Sequence, residues 1–254
     1  MTTSKQNVLL KIIVCGECRV GKSLICDHLS NGYNSIQNVR PRNYYEPTVG
    51  LDMAIVKRKI KHLNMKVHLW DTSGDDRYLG IVRSYYHSCC GAIIVIDMSD
   101  KDAHQHLKEW MQDLKHMKRK DDAKLIISVF ANVENGKHPN NLTKKHCVED
   151  YCLKQNAFYN EIKIANNEGI NEMFDKLIEH IYAVYLSKGT RMDGVHYFMD
   201  GDKDYNSDDG TRKYTETIIS SARLPYSTTT SIPLLNSNNA STNCINKQTC
   251  CVIQ

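Results

Sequence analysis

Val8-Leu-Leu-Lys-Ile-Ile-Val-Cys-Gly16-Glu-Cys-Arg-Val-Gly21-Lys22-Ser23-Leu-Ile-Cys-Asp-His-Leu-Ser30 is the stretch on which the fold turns. Val8–Cys15 is apolar and rich in β-branched residues apart from Lys11, whereas Lys22–Ser30 repeats apolar residues three and four apart. The first half reads as a buried strand and the second as a helix. Between them Gly16-Glu17-Cys18-Arg19-Val20-Gly21-Lys22-Ser23 matches G-x-x-x-x-G-K-S, in the strand–loop–helix setting that the motif requires. Such a loop wraps phosphates in backbone N–H groups at a helix N-terminus. Lys22 has the charge to neutralise β- and γ-phosphates, and Ser23 has the hydroxyl to bind Mg²⁺. A chance Gly-Lys-Ser turn has no reason to fall at that junction.

Working outward, short apolar runs bounded by turn residues recur at Met65–Trp70, Ala92–Ile96 and Leu125–Phe130. Helical spacing recurs at His104–Met117, Thr143–Gln155 and Asn171–Leu186. This alternation predicts an α/β fold: a doubly wound, mostly parallel six-stranded sheet with helices on both faces and a ligand at the carboxyl ends of the strands. Met53–Leu63, alternating apolar and basic, reads as a half-exposed edge strand paired back along the next one. After Leu186 the pattern stops. Residues 187–254 are rich in Ser, Thr, Asn, Asp and Gly with seven basic against seven acidic residues, which reads as a flexible, charge-neutral tail behind a folded unit spanning 1–186.

The chain of 254 residues has room for one well-cored domain and an appendage. Its 41% hydrophobic and 24% charged content is that of a globular protein. A net charge of +4, from 33 basic and 29 acidic residues, is too even for an electrostatic nucleic-acid binder. The ten cysteines sit in apolar runs (Cys15, Cys26, Cys89, Cys90) or at the terminus, which suits a reducing compartment better than a disulfide framework. No run approaches the roughly 18 apolar residues of a membrane span, and the first apolar run is too short for a signal peptide. A cytosolic protein is therefore expected, and the glycosylation patterns at Asn141 and Asn239 are chance matches.

Trp70-Asp71-Thr72-Ser73-Gly74 closes an apolar strand and places Asp71 where it can hold the Mg²⁺ shell. With Tyr45-Glu46-Pro47-Thr48-Val49-Gly50-Leu51-Asp52-Met53 upstream, and Tyr85-Tyr86 and Gly91-Ala92 downstream, the chain resembles the Rab branch of the Ras superfamily over residues 7 to about 186. The resemblance implies the P-loop small-GTPase fold and a GTP/GDP switch with Mg²⁺. It makes residues 45–53 the first switch and effector segment, Thr48 a Mg²⁺ and γ-phosphate ligand beside Ser23 and Asp71, and Gly74 the γ-phosphate sensor. Effector and regulator proteins of vesicle traffic would read the switches.

The chain departs from the family in three places. The family's water-orienting glutamine is Asp75, whose carboxylate cannot donate a hydrogen bond to the γ-phosphate and adds repulsion beside it, so intrinsic hydrolysis should be slow. Cys18 and Arg19 replace small loop residues; Arg19 reads either as a side chain facing solvent or as a built-in arginine finger. The base-recognition motif N-K-x-D stands as Asn132-Val-Glu-Asn135, and the later S-A-K region reads Glu161-Ile-Lys-Ile-Ala165, so guanine selectivity should weaken. A second reading follows, a lipid-anchored pseudo-GTPase that hardly cycles. A P-loop kinase is disfavoured by the lack of an Arg-rich lid.

Cys251-Val-Ile-Gln254 is a C-terminal C-a-a-X box whose final Gln favours farnesyl. One lipid holds a membrane only marginally and the tail has no basic cluster, which points to palmitoyl at Cys250, or else Cys244, as a second anchor on the cytoplasmic face of a membrane with a cytosolic pool. Asp200-Gly-Asp202-Lys-Asp204 imitates a calcium loop but lacks the glycine and the terminal glutamate, and reads as a solvated linker.

Overall fold

The computed structural model describes residues 6–31, 46–61, 63–87, 89–116, 125–133, 141–186 and 195–199. Tyr45, Asn135, Cys244, Cys250, Cys251 and the Asp200 segment lie outside them. Seven strands form one sheet: β1 (Gln6–Cys15), β2 (Leu51–Ile60), β3 (Leu63–Thr72), β4 (Gly91–Asp97), β5 (Ile126–Asn132), β6 (Phe158–Ile162) and β7 (Val195–Met199). Six of them run in the order β2-β3-β1-β4-β5-β6, all parallel except β2, which pairs antiparallel with β3 as an edge strand. This is the doubly wound α/β architecture that the strand and helix patterns predict.

The helices α1 (Lys22–Asn31), α2 (Leu79–Ser84), α3 (Ala103–His116), α4 (Asn141–Lys154) and α5 (Ile170–Ile181) divide between two apolar layers. Period-2 alternation in β1 does the sorting. Val8, Leu10, Ile12 and Val14 face one layer with Ile25 and Leu29 of α1 and Phe174, Leu177, Ile178 and Ile181 of α5. Ile13 and Cys15 face the other, with Val82 of α2, Leu107, Met111 and Leu114 of α3, and Val148 and Cys152 of α4. Lys11, the one charge in β1, is buried on the second side, where its ammonium donates to His87 O at 3.1 Å and lies 5.2 Å from the Trp70 ring. A cation over an aromatic face offsets part of its desolvation.

Two features correct the sequence reading. The last helix is not continuous to Leu186: α5 ends at Ile181 and passes into one π turn, Tyr182–Leu186, that buries Tyr185 and Leu186. Ordered structure also continues beyond Leu186. β4 reaches only Ile12–Cys15 of β1, and β7 takes up the flank it leaves, pairing antiparallel from Val195 opposite Leu10 to Met199 opposite Gln6. Residues 195–199, read from sequence as flexible tail, thus form the seventh strand of the sheet. Val195 is buried in the same layer as Tyr185, Leu186 and Val8.

Val195→Asp should therefore lower stability to urea by about 3 kcal/mol, the order of burying an unpaired charge. An unchanged urea midpoint would show that this segment does not dock.

Candidate functional site

The carboxyl ends of β1, β3 and β5 carry the residues that the sequence singles out, so strand order alone gathers them. At the first of these ends Gly16 has φ +141, and a side chain there would lie 2.2 Å from Val95 O of the neighbouring strand. Arg19 also adopts a left-handed backbone, φ +63, at an order-of-magnitude cost of ~1 kcal/mol for a residue with a Cβ, and it is exposed. The loop then delivers Lys22 as the first residue of α1. Its ammonium is buried and donates to Gly16 O at 2.8 Å and Glu17 O at 2.6 Å. Burial pushes its pKa down, and the Asp71 carboxylate pulls the other way.

Ser23, Thr48 and Asp71 converge. Ser23 Oγ donates to Asp71 Oδ2 at 2.6 Å, Thr48 Oγ1 lies 3.3 Å from the same oxygen, and the two hydroxyls are 3.0 Å apart. Three distant segments, the start of α1, the loop before β2 and the end of β3, meet at one carboxylate oxygen. Burial raises the Asp71 pKa, opposed by the Ser23 hydrogen bond and by the Lys22 charge. Its second oxygen, Oδ1, is buried with no hydrogen-bond partner among the described residues. An all-oxygen set around an under-compensated carboxylate fits a hard divalent cation such as Mg²⁺. Beside it a cavity of about 350 Å³ opens between Cys26 and Asp27 of α1 and residues 46–49.

Gly74 sits directly against the phosphate loop: a Cβ there would come within 2.5 Å of Cys18 N. Ser73 N donates to Gly50 O at 2.9 Å, tying the Gly74 segment to the Thr48 segment. Val49, in the segment before β2, and Ile81, in α2, are large apolar side chains that stand exposed, 73% and 54%.

Asp75 points along its own chain. It caps the short 3₁₀ turn Asp76–Tyr78 by accepting from Arg77 N at 2.9 Å, and it takes the Arg77 guanidinium at 2.6 Å. That pairing holds its carboxyl below the usual range. Asn132 ends β5 with its side chain buried, and its Oδ1 accepts from Ile164 N at 3.2 Å. Of the region noted after β6, Glu161 pairs with Lys145 at 2.8 Å, Lys163 pairs with Glu168 at 2.9 Å, and Ile164 is buried. Sequence reasoning missed Arg77 and Trp110, whose indole N–H donates to Glu17 Oε1 at 2.9 Å. A D-x-R spacing signals the first, but Trp110 occupies an ordinary apolar helix position and carries no mark.

The phosphate loop, the carboxylate that gathers two hydroxyls and the two linked loops above it define a P-loop nucleotide-switch class of α/β protein. The chain belongs to the Ras family, whose model matches residues 11–183. It is similar to the Ras-related protein Rab-5B of Plasmodium falciparum, 28% identical over 179 residues covering 70% of this chain and 80% of the relative. It is also similar to the Ras-related protein RabC of Dictyostelium discoideum, 26% identical over 181 residues (70% and 87%). A third relative is the human Ras-related protein Rab-15, 25% identical over 189 residues (73% and 84%). No helix among the described residues is long and apolar enough to cross a membrane.

The raised Asp71 pKa means that the metal-free folded state holds the proton more tightly than the unfolded chain. Stability from this group is complete below its unfolded pKa and is lost as pH rises through the higher folded pKa. Asp71→Asn should thus stabilise the metal-free protein at neutral pH by about 1 kcal/mol while removing any stabilisation by added Mg²⁺. Thermal unfolding with and without MgCl₂ checks both signs.

Proposed function

We propose that the protein is a membrane-anchored GTP/GDP switch of the Rab-like kind, acting in vesicle traffic or signalling, with slow intrinsic hydrolysis. The observation that carries this reading is the convergence of Ser23, Thr48 and Asp71 on one oxygen, beside a buried Lys22. Backbone N–H groups of Gly16–Ser23 bind the phosphates, Lys22 leaves its loop carbonyls to neutralise them, and Ser23, Thr48 and Asp71 hold Mg²⁺. Bound Mg²⁺ would supply charge neutralisation at the β- and γ-phosphates. Thr48 and Gly74 report the γ-phosphate through their two loops, and residues 45–53 present that state to effectors. Asn132 and Asn135 stand in the family's base-recognition motif, with selectivity for guanine reduced by the lost aspartate.

Asp75 supports slow turnover, since a carboxylate held by Arg77 neither donates to the γ-phosphate nor orients water as an amide does. The same observation favours a second reading, a pseudo-GTPase that binds nucleotide and hardly cycles. The nucleotide-binding unit spans residues 1–186 with β7 added to its sheet, and the rest of 187–254 forms the tail that carries farnesyl at Cys251 and palmitoyl at Cys250. A single chain gives an association of only about 10⁴ M⁻¹, so both are needed for stable residence on a cytoplasmic membrane face.

Nucleotide released from the denatured purified protein should be GTP or GDP, and Lys22→Ala should abolish binding of fluorescent GTP in Mg²⁺. Undiminished binding by that variant removes the reading. Asp75→Gln should raise single-turnover hydrolysis if the protein cycles, and leave it near zero if it is a pseudo-GTPase. Cys251→Ser should leave the protein wholly in the soluble fraction, whereas Cys250→Ser should divide it between soluble and membrane fractions in high salt.

A further inference from the structure

We propose that Trp110 of α3 positions the phosphate loop through its hydrogen bond to Glu17, and so sets how long a nucleotide stays bound. The proposal rests on the nucleotide binding argued above. Trp110 is buried, and its indole N–H reaches Glu17 Oε1 at 2.9 Å across 93 residues of sequence. Its neighbours on the same face of α3, Leu107, Met111 and Leu114, bring no polar atom to that layer. The indole adds to their apolar contact a donor aimed at the loop.

Glu17 is the residue through which such a bond can act. Its carbonyl accepts from the Lys22 ammonium at 2.6 Å. Its carbonyl carbon lies 2.5 Å from the position that a Cβ on Gly74 would take, so its peptide is the seat on which the Gly74 segment rests. One peptide unit therefore meets both the phosphate-neutralising lysine and the γ-phosphate sensor, and its side chain is the handle by which α3 holds it. On the α3 side Glu17 borders a narrow cleft with Asp97, Asp100 and His106, where His106 is already engaged by Asp100 at 2.9 Å. Val20, Val95, Ile96 and Ala103 line the rest of the cleft, and on this side the Trp110 N–H donates to the carboxylate. A hydrogen bond to an ionised acceptor is roughly twice as strong as a neutral one. Trp110 touches no nucleotide in this account; it is a positioning residue.

The test uses the full-length protein loaded with fluorescent GDP in Mg²⁺ and follows dissociation after an excess of unlabelled GDP. Trp110→Phe and Glu17→Ala should each release nucleotide about tenfold faster, the scale of one charge-assisted hydrogen bond. Glu17→Gln, which keeps an acceptor oxygen without the charge, should recover about half of that effect on a logarithmic scale, roughly threefold. The double variant Trp110→Phe/Glu17→Ala should be no faster than either single variant. In parallel, the indole ¹⁵N–¹H resonance of Trp110, assigned by its loss in Trp110→Phe, should move in Glu17→Ala and move less in Glu17→Gln. Multiplicative effects in the double variant, or release at the wild-type rate from Glu17→Ala, overturn the positioning role. A wild-type protein that retains no nucleotide while the indole resonance behaves as stated overturns the nucleotide reading itself, and the retention role with it.

Discussion

One buried carboxylate organises the functional end of the molecule. Asp71 stands at the last turn of β3's hydrophobic run, and its Oδ2 draws the hydroxyls of Ser23 and Thr48 from two other segments into hydrogen-bond range. Those two donors balance half of the group. The nearest ammonium, on Lys22, is directed at loop carbonyls, so the negative charge is incompletely answered by the protein. A low-dielectric site cannot tolerate that imbalance cheaply, and a divalent cation removes it. The segment before β2 is held to the core mainly by this contact and by the Ser73–Gly50 bond, which makes its placement conditional on what occupies the site.

The family's chemistry is kept on the phosphate side and altered elsewhere. Lys22, Ser23, Thr48 and Asp71 are in place, and Gly74 keeps its close approach to the loop. By contrast, Asp75 has been absorbed into the local structure of its own loop as a 3₁₀ cap, the loop after β6 is closed by the Lys163–Glu168 ion pair, and Lys145 of α4 pairs with Glu161 in β6. The residues proposed to hold phosphates and metal are thereby separate from those that would select the base or speed hydrolysis. Val49 and Ile81 keep apolar side chains exposed in the segments that flank Thr48 and follow Gly74.

How much of this was legible follows from what each residue does. G-x-x-x-x-G-K-S between a strand and a helix carries both its chemistry and its setting, so the loop, α1 and the sheet class could be read directly. Asp75 could be located but not its partner, because whether a carboxylate faces a ligand or Arg77 is decided by backbone geometry. Lys11 reads as a flaw in an apolar strand; its tertiary contacts with His87 O and the Trp70 ring explain it. Trp110 hides a polar role inside an apolar pattern. β7 was missed for a different reason. Val195-His-Tyr-Phe-Met199, rich in β-formers and bounded by Asp-Gly on both sides, carries a strand signal, but it is short and lies inside a stretch whose overall polar composition reads as tail.

That seventh strand also bears on how the protein behaves among its own copies. Without it, the flank of β1 from Gln6 to Leu10 would present free N–H and C=O groups beside buried aliphatic side chains, since β4 does not extend that far. Such an edge is a template for any extended chain that drifts by. β7 therefore acts as a guard strand, satisfying the edge from within the same molecule. Proteolytic nicking between Leu186 and Val195 would leave β7 held by its pairing alone, and its loss would open a further edge beside those of β2 and β6.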